Sequence, residues 1–270
     1  MKAGATRLVH LSDLHFGLER ADLVQPLFEA VEAAGPDLVV VSGDLVQRAR
    51  KVQFIAARRF LDRLTAPWVA VPGNHDIPLF NLAGRLLWPF AGYRRHICAD
   101  LAPGRRLRDL RIFGINSAWP LSWRGGIARR ADIDRLCREL TEGAKDVTNI
   151  LLFHHPMQEP PGFERGETIG AEAALPRLAA AGLHVILSGH LHRFDPGLFV
   201  TRDRTRPILQ VQGATALCGR AGETAHGFAI LDFDGPHLVV TPCPALDGPV
   251  RFGPAPPFRY SRAEGEWRLL

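Results

Sequence analysis

The stretch Val69-Ala-Val-Pro-Gly-Asn-His-Asp76 decides how this chain is organised. It predicts a short buried strand and a tight turn at Gly73, followed by three polar side chains, Asn74, His75 and Asp76. Open α/β sheets carry their ligand sites at the carboxyl ends of their strands. We therefore expect the three polar residues at a functional site.

The same pattern occurs four more times along the chain. Apolar runs at residues 8–11, 38–41, 150–153 and 185–187 are followed by polar residues, namely Asp13 and His15, Asp44, His154 and His155, and His190 and His192. Amphipathic helical patterns lie between these runs, at residues 20–34, 49–64, 131–142 and 171–181. We expect the second helix to turn Val52, Ile55, Phe60 and Leu64 inward, and Pro176 to interrupt the last one. Alternation of strand and helix is typical of a parallel sheet in an α/β fold.

The last third of the chain has a different sequence pattern. Short strands are expected at residues 207–212, 228–233 and 237–241, with an edge strand within 259–270. Short runs joined by turns favour antiparallel pairing. Because no repeat or linker divides the sequence, we expect a single domain over residues 1–270 with two stacked sheets.

Composition and charge narrow the classes of partner. The 270 residues are 46% hydrophobic, which is ordinary for a globular protein. The formal net charge is +5, but the arginines are spread along the chain and lysine occurs only at positions 2, 51 and 145. The charge therefore indicates no dedicated patch for nucleic acid, and we do not expect nucleic acid as a partner.

The cysteines and the amino terminus bear on the compartment. The four cysteines, Cys98, Cys137, Cys218 and Cys243, include no C-x-x-C pair, so a cysteine zinc site is not expected. Residues 1–7 lack the apolar stretch of a signal peptide, and no run of about 18 apolar residues predicts a transmembrane segment. We expect free thiols and a cytoplasmic location.

The polar residues at the strand ends combine imidazole, carboxylate and amide groups. Imidazole and carboxylate together suit divalent zinc, iron or manganese. The pairs Asp13-x-His15 and His190-x-His192 each place two side chains on one side of an extended segment. These ligands are too many for one tetrahedral site and fit two metal ions that share a carboxylate, about 3.5–4 Å apart. Such a centre retains positive charge and favours a phosphate ester.

The order Asp-x-His, Gly-Asp, Gly-Asn-His-Asp, His and Gly-His-x-His, over residues 13–192, resembles the calcineurin-like metallophosphoesterase superfamily. The resemblance implies a four-layer αββα sandwich, in which two stacked mixed sheets are flanked by helices. It also implies two divalent metal ions, manganese, iron or zinc, and hydrolysis of a small phosphodiester by a metal-bridging hydroxide.

The resemblance also implies a role for each motif residue. Asp13, His15 and His192 would hold the first metal, Asn74, His154 and His190 the second, and Asp44 would bridge both. His75 would face the leaving group, and Asp76 would orient His75. His154 is favoured over His155 because the family places this ligand in a His-x-Pro context. Gln47 stands where purple acid phosphatases carry a tyrosine, so a divalent or reduced metal pair is expected.

The substrate is left open by the sequence. Size and motif spacing resemble bacterial phosphodiesterases of the cyclic-nucleotide type. The alternatives are a UDP-2,3-diacylglucosamine pyrophosphatase of lipid A synthesis and a non-catalytic metal-binding scaffold. Residues 79–96 form either a substrate lid or a helix packed on the core, and Trp119, Trp123 and Arg124 either meet substrate or pack on the surface. The oligomeric state is not predicted.

Overall fold

The fold comes from a computed structural model of the chain. It describes residues 4–142, 147–159, 168–199, 207–223, 225–246, 250–263 and 266–270. Within these ranges, no helix combines the length and the apolar character needed to cross a membrane.

Twenty helices and strands make up the described part of the chain. The helices are α1 (Ala21–Ala34), α2 (Lys51–Asp62), α3 (Leu82–Leu87), α4 (Ala91–His96), α5 (Arg130–Thr141) and α6 (Ala171–Ala181). The strands are β1 (Thr6–Leu11), β2 (Leu38–Val41), β3 (Trp68–Ala70), β4 (Gly104–Leu107), β5 (Leu110–Gly114), β6 (Thr148–Leu152), β7 (Val185–Ser188), β8 (Asp195–Phe199), β9 (Leu209–Gln212), β10 (Gly227–Asp234), β11 (His237–Leu246), β12 (Arg251–Phe252), β13 (Phe258–Ala263) and β14 (Glu266–Leu269). A single 3₁₀ turn, Asn74–Asp76, follows β3.

The strands form two mixed sheets. Sheet one has the order β14-β13-β11-β10-β1-β2-β3, with β12 paired to β11, and sheet two has the order β4-β5-β6-β7-β9-β8. In sheet one, β1, β2 and β3 run parallel, and β10, β11, β13 and β14 continue it antiparallel. In sheet two, β5, β6, β7 and β9 run parallel, between the antiparallel edges β4 and β8.

Three apolar cores separate four layers. One core lies between the sheets and joins residues of sheet one, such as Val40 and Leu231, to residues of sheet two, such as Leu152 and Leu187. A second core packs α1 and α2 on the outer face of sheet one, and a third packs α5 and α6 on the outer face of sheet two. This arrangement confirms the expected αββα sandwich, because each helix buries one apolar stripe on one sheet face.

The helices confirm most of the predicted pattern and correct part of it. Leu23, Leu27 and Val31 form the buried stripe of α1, as expected from their spacing. In α2, however, Val52 is 70% exposed, and Phe54 and Leu61 lie in the core instead. The expected inward positions Phe60 and Leu64 are buried, so the prediction is confirmed at those two residues and wrong at Val52. Helix α6 also continues through Pro176 without interruption.

The last third of the chain is antiparallel in sheet one and partly parallel in sheet two. The strand predicted at residues 207–212 is β9, and it pairs parallel to β7 in sheet two, so the antiparallel expectation is wrong for that pair. Strand β8, which the sequence pattern missed, pairs antiparallel to β9. Residues 156–170 are rich in Pro, Gly and Glu, which predicts a loop, and residues 160–167 of that stretch lie outside the described ranges.

The segment after the Asn-His-Asp turn forms two short helices. Helix α4 packs on the core: Tyr93 is fully buried, and its hydroxyl donates to Ala70 O at 2.9 Å. Helix α3 instead leaves its apolar side chains Leu82, Leu86 and Leu87 exposed. The core-helix interpretation therefore holds for α4 and not for α3.

Candidate metal centre

The five polar strand exits meet at one edge of the two stacked sheets. The loop after β1 is bonded to the loop after β2, because Asp13 N donates to Gly43 O at 3.1 Å. In sheet two, Gly189 N donates to His154 O at 2.9 Å. His190 N donates to Asp13 Oδ2 at 2.9 Å and so links the two sheets. Main-chain hydrogen bonds thus fix the relative positions of loops that are far apart in sequence.

One group of side chains contains Asp13, His15 and His192. His15 Nε2 and His192 Nε2 lie 3.0 Å apart, and Asp13 Oδ1 lies 3.2 Å from His192 Nε2 and 3.6 Å from His15 Nε2. All three residues are buried. Three ligand atoms within bonding reach of one point match the first metal position implied by the resemblance.

A second group contains Asp44, Asn74, His154 and His190. His154 Nε2 lies 3.2 Å from Asn74 Oδ1 and 3.5 Å from Asp44 Oδ2. The ring of His190 packs edge-on against His154, with 5.3 Å between their centroids. Asp44 Oδ2 also lies 3.6 Å from Nε2 of His15 in the first group. Its carboxylate therefore stands between the two groups.

The backbone around the centre is locally strained. Of the seven non-glycine residues with positive φ in the described ranges, five are candidate ligands, namely Asp13, His15, Asp44, His190 and His192. Non-glycine residues adopt this left-handed region at a cost of about 1–3 kcal/mol each. The strain aims successive side chains inward from tight loops, and it marks the centre as functional rather than as ordinary core.

Two motif glycines leave the space that the ligands need. Gly43 has φ of +90°, and a Cβ there would lie 2.6 Å from His154 Nδ1. A Cβ at Gly73 would overlap Oδ1 of Asp44. The loops after β2 and β3 therefore approach each other and His154 closely enough only with glycine at both positions.

Several residues outside the predicted set orient the histidines. His154 Nδ1 lies 2.6 Å from Ser42 O, and His192 Nδ1 lies 2.9 Å from Glu223 Oε1. With Nδ1 engaged, each ring presents Nε2 to the centre, as is usual for metal-ligating histidines. Glu223 belongs to no recognisable motif, so nothing in the sequence marks it as part of the site.

Burial and mutual charge set the protonation of the centre. Burial raises the pKa of Asp13, but the positive charge of His192 and the close imidazoles of His192 and His15 outweigh this effect and hold the pKa well below its usual range. Burial likewise opposes the ionisation of Asp44, yet His154 and His75 keep the pKa of Asp44 low. The charge of Asp44 overcomes the effect of burial on His154 and raises its pKa to about 9. The carboxylates are thus ionised and take their counter-charge from protons that a metal ion would displace.

A further observation indicates that this set of donor atoms fits a divalent cation. Asp13 Oδ1 and His190 Nε2 are buried and have no hydrogen-bond partner. Buried polar atoms are normally satisfied, so two unpartnered ligand atoms in one centre indicate a missing positive partner. One ligand atom from each of Asp13, Asp44 and His154 also lies within 4.8 Å of the other two.

His75 and Asp76 are both held by main-chain groups of the neighbouring loops. His75 Nδ1 lies 3.0 Å from Gln47 O and 3.3 Å from Nη1 of Arg48, and its ring packs edge-on against His15. Asp76 is buried and accepts three main-chain N–H groups, from Leu45, Val46 and Gly73. The expected contact from Asp76 to His75 is therefore not what orients that ring. Asp76 instead fixes the loop after β2 against the turn after β3.

His155 and Cys218 also approach the centre. His155 Nδ1 lies 2.8 Å from Ser117 Oγ, and its Nε2 is buried without a partner beside His190. Cys218 is fully buried, and its sulfur lies within 4.8 Å of ligand atoms of the first group. No C-x-x-C pair includes Cys218, so the sequence did not indicate it as a candidate ligand.

Comparison with known proteins identifies the family. The model of the family described as calcineurin-like phosphoesterase matches residues 6–194. A glycerophosphodiester phosphodiesterase, GpdQ, of Enterobacter lignolyticus is 38% identical over 211 residues, which cover 68% of this chain and 70% of GpdQ. The 3′,5′-cyclic adenosine monophosphate phosphodiesterase CpdA of Escherichia coli is 24% identical over 214 residues, which cover 69% of this chain and 70% of CpdA.

The matches do not extend over the whole length of the relatives. A further relative, from Synechococcus, is matched over 62% of its length. Among solved structures, that of PhoD superposes with a TM-score of 0.71 at 11% identity and covers 100% of this chain and 72% of PhoD, a likeness of fold. The family match covers most of the chain and includes every strand exit of the centre, so the chain belongs to the calcineurin-like phosphoesterase family.

Proposed function

We propose that the protein hydrolyses phosphodiesters at a centre of two divalent metal ions. The observation that carries the proposal is the convergence of seven buried ligands from five strand ends, two of which have unpartnered atoms. Asp13, His15 and His192 would hold the first ion, Asn74, His154 and His190 would hold the second, and both ions would share Asp44. The names of the relatives GpdQ and CpdA support a diester as the substrate.

Two metal ions would polarise the phosphoryl oxygens and lower the pKa of the attacking water. The residues of the chain supply the remaining steps. The Asn74 amide is held by Trp123 O, which accepts from its Nδ2 at 3.2 Å and leaves Oδ1 to face the centre. The carbonyl of Gln47 engages Nδ1 of His75, so Nε2 is the nitrogen free to face the leaving oxygen. We assign His75 Nε2 the protonation of that oxygen.

The substrate class is tested on purified, manganese-supplemented protein. The panel contains bis-p-nitrophenyl phosphate, p-nitrophenyl phosphate, 3′,5′-cyclic AMP, 2′,3′-cyclic AMP and glycerophosphoethanolamine. We expect hydrolysis of the diesters with little hydrolysis of the monoester. The diester that is hydrolysed fastest then indicates the class of substrate. If none is hydrolysed, acylated UDP-glucosamine tests the pyrophosphatase alternative. Two bound metal ions without turnover of any of these substrates would support the scaffold alternative and contradict the proposal.

Two variants separate metal binding from proton transfer. Asn74→Ala should lose the second ion, measured as metal content per chain. His75→Ala should retain both ions and lower turnover by about 10²–10⁴-fold with a poor leaving group, which is the usual contribution of a general acid. The loss should be smaller with nitrophenolate, which needs little protonation. An equal loss for good and poor leaving groups would contradict the assigned proton transfer.

A further inference from the structure

An exposed apolar surface adjoins the candidate metal centre. Fourteen large apolar side chains are exposed among the described residues, and seven of them fall on two short segments. These seven, which we call the apolar ledge, are Phe80, Leu82, Leu86, Leu87, Trp88, Leu121 and Trp123. Scattered exposed apolar residues are normal, but a concentration of this kind marks a binding surface.

A buried arginine joins the two segments of the ledge. Arg85 is 3% exposed and donates to the main-chain oxygens of Pro120 at 2.6 Å, Ser122 at 2.5 Å and Pro78 at 3.1 Å. Its guanidinium also lies over the ring of Trp123, 4.6 Å from the centroid. Four contacts of the Arg85 side chain therefore hold the ledge in place, so its apolar residues form a defined surface.

The ledge begins at residues of the centre itself. Asn74 Nδ2 donates to Trp123 O, so one end of the ledge is bonded to a proposed metal ligand. At the other end, the guanidinium of Arg48 lies 5.9 Å from the ring of Phe80 and 3.3 Å from His75 Nδ1. A phosphate ester bound at the centre would thus have its organic group beside Phe80 or Trp123.

We propose that the ledge binds an apolar arm of the substrate, so that the substrate class is an amphiphilic phosphodiester. The inference rests on the proposed function, since the centre would hold the phosphate. The cationic Arg48 between the centre and Phe80 suits an anionic head that is followed by an apolar group. The cyclic nucleotides and glycerophosphoethanolamine carry polar organic groups, which would leave the ledge exposed to water.

The test uses inhibition by monoalkyl phosphates from methyl to hexyl, which remain monomeric in solution. Their inhibition constants are measured against hydrolysis of bis-p-nitrophenyl phosphate. Full burial of a methylene is worth about four-fold in affinity, and contact on one side about half of that free energy. The inhibition constant should therefore fall about two-fold per methylene, or about 30-fold over the series.

Paired variants locate the effect. The double variant Leu86→Gln/Leu87→Gln should flatten the dependence on chain length. Leu269→Gln is the matched control, because Leu269 is 57% exposed, like Leu87 at 63%, and lies on β14 at the opposite edge of sheet one. It should retain the full dependence. Binding of hexyl phosphate should also shift the tryptophan emission to the blue, since Trp88 and Trp123 would lose water.

Each contrary result has a distinct meaning. Inhibition constants that do not change with chain length in the unsubstituted protein overturn the inference, as does a dependence that survives in the double variant. A dimer that dissociates in the double variant, together with a flat series, would assign the ledge to a second copy of the chain and overturn the inference. Absence of any diester hydrolysis counts against the proposed function, and the fluorescence titration then still tests the ledge.

Discussion

Arg85→Met removes every donor that joins the segment at residues 78–88 to the loop at 119–123. Methionine retains an apolar stem of similar length beneath Trp123, so the substitution leaves the packing largely in place. It removes the three hydrogen bonds to the carbonyls of Pro78, Pro120 and Ser122. We expect the two segments to separate from each other more often while the sheets stay intact.

The size of the effect follows from the two hydrogen bonds that cross between the segments, to Pro120 and Ser122. A hydrogen bond from a charged donor contributes about 1.5–3 kcal/mol, so two would give about 3–6 kcal/mol if the carbonyls remained dry. The carbonyls belong to half-buried residues, which water reaches once the segments part. Removal of a buried charge that has no carboxylate partner among the described residues also recovers desolvation free energy. We expect a net loss of about 3 kcal/mol, or about 10²-fold in the local opening equilibrium.

Hydrogen exchange measures this loss directly. The amides of Arg85 and Trp88 are hydrogen-bonded within α3 and should lose about 10²-fold in protection, while strands β1 and β6 stay unchanged. Arg58→Met is the control, because Arg58 also stacks on a tryptophan but its side chain is 44% exposed and pairs with Asp62. That variant should lose less than about 1 kcal/mol. Unchanged protection of α3 in Arg85→Met, or an equal change in the control, would refute the reasoning.

Three further predictions concern the core and the centre. Burial, with the charge of Arg262, lowers the pKa of His184 to about 3 from the ordinary 6.5, so the neutral ring contributes fully to stability above pH 6.5 and less as the pH falls. In urea titrations, His184→Asn should therefore reduce the loss of unfolding free energy between pH 7 and pH 5 by about 2 kcal/mol. The same loss of unfolding free energy in the variant and in the unsubstituted protein would contradict this. Tyr93→Phe leaves Ala70 O without its buried donor and should cost about 1–3 kcal/mol, seen as a lower denaturation midpoint at constant slope. His154→Gln should lose one metal ion per chain and His155→Gln none; the reverse result would exchange the two assignments.

The sequence by itself determined the strand exits and the candidate ligands. A buried parallel strand reads as a continuous apolar run, and the residue that follows the run lies at the sheet edge by geometry alone. Five such runs, with Asp, Asn or His after each, were enough to predict the α/β layers and the ligand set before any packing was known. The family match over residues 6–194 confirms that interpretation of the fold.

Only the tertiary structure decided how the rest is joined. Strand β9 pairs parallel to β7 although its sequence neighbours are antiparallel, because pairing depends on which sheet edge is free rather than on local pattern. The contacts of Asp76 with the amides of Leu45 and Val46, and of Glu223 with His192, join segments about 30 residues apart. No periodicity encodes such contacts.

The apolar ledge illustrates the same limit. Its sequence predicts a helix packed on the core and a substrate lid equally well. An apolar run indicates that the side chains avoid water, but it does not indicate what covers them. Arg85 looks like any surface arginine in the sequence, and it is buried where the distant loop at residues 119–123 presents two carbonyls to it. The sequence determined the candidate ligands of the centre, because each lies next to the apolar run that precedes it. The exposure of the ledge and its position beside the centre depend on contacts between distant segments, so only the folded chain decided them.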